Sequence, residues 1–488
     1  MEYNYLRIYF CACEIEAKPK PTLNSEYKNI KFIKMKNLLL NSILLVILAV
    51  AVLPTTAQAQ EVQEVNTVQT QDTKREFYLR PSYWRAHDKN GLNVFETTKK
   101  ADPIPFEGLR MRIGAGFTQE YQNLDHETSS TIPKYGFGPG FNLAMANLIT
   151  DVQLADGIRL ELTTYLSTRN HNEAWVKGGY IQFDKLPFKS AFFDKLMEYA
   201  TIKIGHMEIN YGDQHFRRSD GGKTIHNAFA ENLIADAFST EIGGEVYLQK
   251  NGFFGMVGVT NGTINSSIGR QKTDAEGNSK KFPALYFKGG IDKEIGEARV
   301  RLTGSAYINN KSQRNVLYGG DRAGSWYWGV MEPASAQGNF SGRFNPGFSR
   351  NIQAVMLNSF VKFGGLEFFG TYETTKGNSG ALADPAKGIP ADITKRNMNQ
   401  TAIEGLYRIG KKENLYVGAR YNTVKAELLG YTNDVKIDRT SIAAGWFLTN
   451  NILLKGEYVI QNYKDFKTTD IRYGGKFNGY VIQAVVGF

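Results

Sequence analysis

Disulfide chemistry is missing from nearly all of this chain. Its 488 residues hold 2 cysteines, Cys11 and Cys13, so nothing beyond residue 13 can be cross-linked within the chain. Stability has to come from packing and backbone pairing. Proline is scarce too, 14 residues against 49 glycines, a mix that suits strands and tight turns. Beyond residue 60 no run reaches 18 apolar residues, which excludes helical membrane spans. Catalytic signatures are equally thin. No G-x-S-x-G, P-loop or dinucleotide fingerprint stands in a supporting context, and GAGFTQ (114–119) lies inside a strand pattern. The 6 histidines (His87, His126, His171, His206, His215 and His226) make no H-E-x-x-H, and the spacing of His206 and His215 straddles a strand end. A lipase-like pair would need His206 and Ser239 on adjacent strands, yet Ser239 falls just before its strand. The expectation is a protein without catalytic residues, metal, cofactor or nucleic-acid partner.

What is present begins with an export signal. Residues 35–60 read MKNLLLNSILLVILAVAVLPTTAQAQ: a basic start at Lys36, an apolar core from Leu38 to Leu53, and Ala57-Gln58-Ala59 as a cleavage site. A helical anchor is the competing reading, but the core is short for a span. Residues 35–59 are therefore expected to be removed as a signal peptide, and 1–34 to be an over-extended gene start. Residues 1–59 carry 7 basic and 4 acidic side chains of the chain's 58 and 48, leaving 51 against 44, a net +7. Residues 60–104 form a polar N-terminal segment, within which REFYLRPSYW (75–84) reads as a short strand or plug-like stretch.

From Arg110 onward, segments of ten to fourteen residues alternate with period 2. Sixteen can be marked, from RMRIGAGFTQ (110–119) to FNGYVIQAVVGF (477–488). Their connections alternate between short turns (ADG, QKNG, KEIG, GG, GKKEN, TNN) and long loops (212–239, 264–281, 310–351, 376–399, 428–437, 464–476), with a helix expected near 187–199 as the exception. An even strand number with short turns at one end and long loops at the other predicts a transmembrane antiparallel β-barrel over 105–488, in the outer membrane of a Gram-negative bacterium. The two faces agree: Leu415, Val417, Ala419 and Tyr421 oppose Tyr416, Gly418 and Arg420. One face meets lipid and the other a wet lumen. Tyr480, Ile482, Ala484, Val486 and Phe488 share the lipid face of the last strand. That terminal aromatic resembles the signal read by barrel assembly machinery. A secreted sandwich would not need such long strands or this loop alternation.

By face parity, Arg110, Arg112, Arg159, Lys203, Arg299, Arg301, Arg420 and Lys455 point into the lumen. Rings of positive side chains select anions. The competing reading pairs them with Glu161, Glu404 and Glu457 merely to keep the lumen wet. The stretch YGDQHFRRSDGGKTIHNAFAENLIADAFST (211–240) joins Arg217, Arg218, Asp220 and Lys223 to the apolar Phe229, Leu233, Ile234 and Phe238. A third loop folded inward would pack its apolar side on the wall and line a pore constriction with its charges; an external flap is the alternative.

IKIGHMEINYGDQHFRRSDGG…HNAF followed by STEIGGEVYLQ resembles the phosphate-selective porin O and P family, in the divergent form of Bacteroidota-like outer membranes. The likeness covers roughly 105–488. It implies a sixteen-stranded, often trimeric, channel passing small anionic or polar solutes, with Arg217, Arg218 and Lys223 as basic loop residues. The alternative is a non-conducting barrel that partners a secretion or surface-assembly system. The aromatic loop 310–351, with Trp326, Trp328, Phe340, Phe344 and Phe348, suits that reading.

Overall fold

The computed structural model describes residues 84–99, 105–166, 174–264, 275, 277, 282–312, 314–319, 323–336 and 341–488. The expected signal peptide, the segment 60–83, His171 and Phe340 lie outside the described residues. Sixteen long strands make one antiparallel sheet: β1 Arg110–Glu127, β2 Met145–Ala155, β3 Ile158–Tyr165, β4 Trp175–Phe183, β5 Ala200–Glu208, β6 Thr240–Lys250, β7 Phe253–Thr260, β8 Ala284–Ile295, β9 Ala298–Asn309, β10 Asn351–Phe363, β11 Leu366–Asn378, β12 Arg396–Ile409, β13 Leu415–Ala426, β14 Val435–Phe447, β15 Ile452–Lys464 and β16 Lys476–Gly487. A two-residue piece, Gly140–Phe141, pairs with Tyr121 and Gln122 of β1.

Every strand pairs with its sequence neighbours, and β1 also pairs with β16, from Gly116↔Gly487 to Glu127↔Lys476. The sheet therefore closes on itself. Closure is what a bilayer demands, because an open edge would leave N–H and C=O groups without partners in hydrocarbon. Phe488 continues the ladder: its N–H donates to Ala115 O and its carbonyl accepts from Ala115 N, at 3.1 and 2.9 Å. The last residue thus has no free edge, and its ring faces outward.

Alternation along each strand separates two environments. Leu302, Ile403, Ile442 and Leu454 are exposed on the outside, while Arg301, Arg420 and Arg439 are about 1% exposed inside. This outward apolar band is the surface a tilted strand of this length presents to lipid. A closed barrel with this outward apolar band has the build of an outer-membrane protein of a Gram-negative bacterium, its outer wall suited to lipid. No helix among the described residues is long and apolar enough to cross a membrane.

The short turns are built as the sequence suggests. Asn251 and Gly252 adopt φ of 52° and 76°, the paired left-handed conformation of a tight hairpin. The exception between β4 and β5 contains the helix Ala191–Met197, with Phe192 exposed. Two boundaries and one register depart from strict alternation. The alternating stretch 141–152 predicts a strand from 141, but β2 starts at Met145, because Phe141 and Gly140 pair briefly with β1 and the chain then steps aside. β5 ends at Glu208 because Asn210 and Tyr211 turn inward. A register shift between Thr163 and Thr164 interrupts the β3–β4 pairing.

Candidate functional site

Three segments enter the lumen. The first is residues 209–239, the loop after β5. Phe229 and Ile234 are fully buried, and Leu233 and Phe238 nearly so. Phe229 joins Ile225 against Leu406, Tyr416, Phe447 and Leu453 of the wall, while Ile234 belongs to the larger apolar cluster towards the outer end. The polar backbone of the loop is satisfied by lumen-facing side chains from all round the barrel. Gly212 and Asp213 donate to Ser305 and Asn358, and Ala230, Ile234 and Ala235 donate to Glu457, Asn422 and Gln400, at 2.7–3.1 Å. Such caps are required, since buried backbone groups without partners are costly.

At its tip the loop makes a turn, Asp220 to Lys223, that lies flat on β1 and β2. Gly221 has φ of 53°. A side chain at Gly222 would collide with Ala146, Met145 and the Gly116 carbonyl, so glycine lets the turn touch the wall backbone. Asn147 holds it from below, donating to Asp220 O and accepting from Gly222 N at 2.9 and 2.8 Å.

The second segment is residues 84–99. His87 bonds Asp151 at 3.0 Å, Asn93 donates to Glu367 at 2.7 Å, and Glu96 pairs with Lys288 and Arg301 at 2.9 and 2.7 Å. Phe95 packs edge-on against Phe216 of the loop and Phe360 of β10. The third is the loop after β9. Trp326, Tyr327, Phe344 and Phe348 are buried; the N–H of Trp326 donates to Glu231, and that of Phe344 to Ile234 O. This explains the aromatic richness of 310–351: those rings cover the first loop.

The residues singled out from sequence fall into these layers. Arg217 is buried, bonds Asn93, and lies 3.5 and 3.9 Å from Glu404 and Glu367. Arg218 makes a forked contact to Asp236 and reaches Asp220 at 3.4 Å. Asp220 also meets Lys177 and Tyr165. On the wall, Arg301 binds Asp213 at 2.8–2.9 Å as well as Glu96 and Asp292, and Arg299 forks onto Asp292. Arg112 meets Asp151, Arg420 meets Glu404 and the Glu231 carbonyl, and Arg159 meets Gln182 and, at 3.9 Å, Glu161. Arg110 sits at the rim beside Glu107. Among the described residues Lys455 forms no salt bridge; its ammonium is held by the carbonyls of Thr224, Asn227 and Phe229. Most of the predicted cations are therefore neutralised in pairs. Burial would raise the Asp213 carboxyl, but Lys288 and Arg301 overcome that and hold it well below the usual range.

Three cations stand apart. Arg85, Lys203 and Lys223 border a cavity of about 320 Å³ between the two inserted segments and the β2–β6 wall. Arg85 donates to the Gly91 and Phe216 carbonyls, and Lys203 lies over the Tyr180 and Tyr247 rings. Among the described residues no carboxylate forms a salt bridge with any of the three. Burial, with Arg85 nearby, pushes the Lys223 ammonium down to about 8. Sequence reasoning missed Arg85, Glu96 and Lys288. Parity along β8 is the signal that could have found Lys288, whereas nothing local signals that 84–99 enters the barrel.

No family model matches the chain, and no curated protein does. Among solved structures it resembles the outer membrane channel DcaP of Acinetobacter baumannii, at 13% identity over 79% of this chain and 99% of that one, TM-score 0.48. OmpT of Vibrio cholerae, an outer membrane protein, is similar at 10% identity over 79% and 99%, TM-score 0.45. OprB of Pseudomonas putida is similar at 8% over 78% and 94%, TM-score 0.44. At such identities the likeness concerns the barrel fold alone.

Proposed function

We propose that this barrel is a porin: a passive channel for small polar solutes with a mild preference for anions, phosphate among them. The observation that carries this reading is the polar cavity lined by six cations, Arg85, Arg159, Lys177, Lys203, Arg218 and Lys223, against four carboxylates, Glu96, Glu161, Glu208 and Asp220. In a narrow space with low-dielectric walls a small excess of one sign sets the local potential. Arg217, Arg218 and Asp220 then act as the frame of the constriction, because their charges are spent on one another and on Asp236 and Glu404. Membership of the phosphate-selective porin O and P family, a homotrimeric assembly, and recognition of the terminal strand by barrel assembly machinery belong to the same proposal.

A second reading is favoured by one feature. Three segments fill much of the lumen, as in a barrel that serves as a partner rather than a conduit. Reversal potential in a potassium chloride gradient separates the two. Anion preference in the wild type, falling in the double variant Lys203→Gln, Lys223→Gln, supports the porin. No current from folded barrels supports the partner role.

A further inference from the structure

We infer that residues 84–99 are a movable strap across the periplasmic mouth, and that solutes pass only when it leaves its seat. The inference rests on the porin reading. The strap runs most of the way round the mouth. His87 is anchored to β2, and the Lys89 N–H donates to Asn450 O in the β14–β15 turn. Asn93 reaches β11, Glu96 reaches β8 and β9, and Lys99 ends on the carbonyls of Asp184 and Ala200 beside β5.

Its position divides the free space. Residues 94–98 border the inner cavity of about 320 Å³. Lys89, Asn90, Leu92 and Asn93 border a separate vestibule of about 640 Å³, which also touches the periplasmic turn residues Lys412 to Asn414. The strap thus lines two polar spaces on its two sides. It also supplies Arg85 to the inner one.

The attachment differs in kind from that of a strand. The strap adds no strand to the sheet, and its only regular turn is Lys89–Gly91, capped by Asp88. Among the described residues one backbone hydrogen bond joins it to the barrel backbone, at Lys89. Side chains supply other contacts, among them the buried pairs of Glu96 with Lys288 and Arg301, the His87–Asp151 and Asn93–Glu367 bonds, and the wedge of Phe95. Leaving the seat breaks no strand pairing, so the barrel survives while the strap opens.

The test uses the mature protein with residues 84–99 replaced by a glycine–serine stretch of equal length, and a full-length double variant, Phe95→Ala with Glu96→Gln. Both are compared with wild type in planar bilayers, using heat-modifiable gel migration to confirm folded barrels. The expected result is a several-fold rise in single-channel conductance for the replacement and more frequent open events for the double variant. If the replacement does not fold, the double variant decides alone. Conductance equal to that of wild type in the folded variants overturns the strap and leaves the porin reading standing. No current from wild type or from either variant overturns both.

Discussion

Lys455→Met removes an ammonium while keeping the length of its stem, and so isolates what pins the inward loop. Among the described residues the Nζ of Lys455 forms no salt bridge; it donates to Thr224 O, Asn227 O and Phe229 O at 2.9, 2.8 and 2.9 Å. Each bond to a charged group contributes ~1.5–3 kcal/mol, and each carbonyl left buried without a donor costs a further ~1–3 kcal/mol. Against this stands the relief of a buried charge, which is of similar size. A net local loss of ~3 kcal/mol follows, since removing one side of a buried charged contact typically costs ~3–5 kcal/mol. The ladder of sixteen strands is untouched, so the barrel stays folded. The loop keeps its other anchors, among them Arg420 to Glu231 O and Arg439 to Asn232 O, so it loosens without leaving. Amide exchange measures this directly. Protection of Asn227, Phe229 and Ala230 is expected to fall by roughly a hundredfold, at about 1.4 kcal/mol per factor of ten. Lys476→Met is the control: that residue makes an exposed pair with Glu127 at 3.1 Å, worth little. Unchanged exchange at 227–230 in a folded Lys455→Met barrel would refute the idea that this ammonium holds the loop.

Deleting Phe488 removes the last rung against Ala115 and an outward ring; the folded fraction on heat-modifiable gels is expected to drop while export is unchanged, and an unaltered fraction contradicts it. Gly222→Ala forces the Asp220–Lys223 turn off the β1–β2 wall; overpacking of this kind costs ~1–3 kcal/mol, and exchange at Lys223 and Thr224 should quicken. Lys223 titrates at about 8 because it is buried beside Arg85. Its charge is present below that pH and lost above it, so anion preference should weaken between roughly pH 7 and 9. A flat reversal potential over that range removes Lys223 from the selectivity argument.

The barrel was legible because lipid imposes a strict period. Arg299 and Arg301 had to share a face opposite Leu302, and that face had to be the inner one. The sixteen strands and the short–long order of their connections follow from the same constraint. The inward fold of 209–239 was legible for a related reason: Phe229 and Ile234 need an apolar wall, and a solvated loop offers none. What sequence could not show is pairing across the lumen. Arg217 finds Glu404, and Glu96 finds Lys288 and Arg301. These partners lie far apart along the chain, and the curvature of the closed sheet brings them together. Local patterning could name Glu161 and Glu404 as partners, as Arg159 and Arg420 have them, but not Glu96, Asp213 or Asp236, which lie on the inserted segments. The segment 84–99 was opaque for the same cause, being polar by composition and luminal only through distant contacts. The end of β5 is hidden in the sequence, because Tyr211 continues the alternation by type, yet its hydroxyl is drawn inward to Glu373 at 3.0 Å.

Passage of solute through the folded barrel is the decisive property, and liposomes loaded with the purified mature protein measure it most directly. The porin reading predicts swelling in small polar solutes, with phosphate entering faster than sodium. Liposomes that carry folded, heat-modifiable barrels and yet neither swell nor admit phosphate would contradict it.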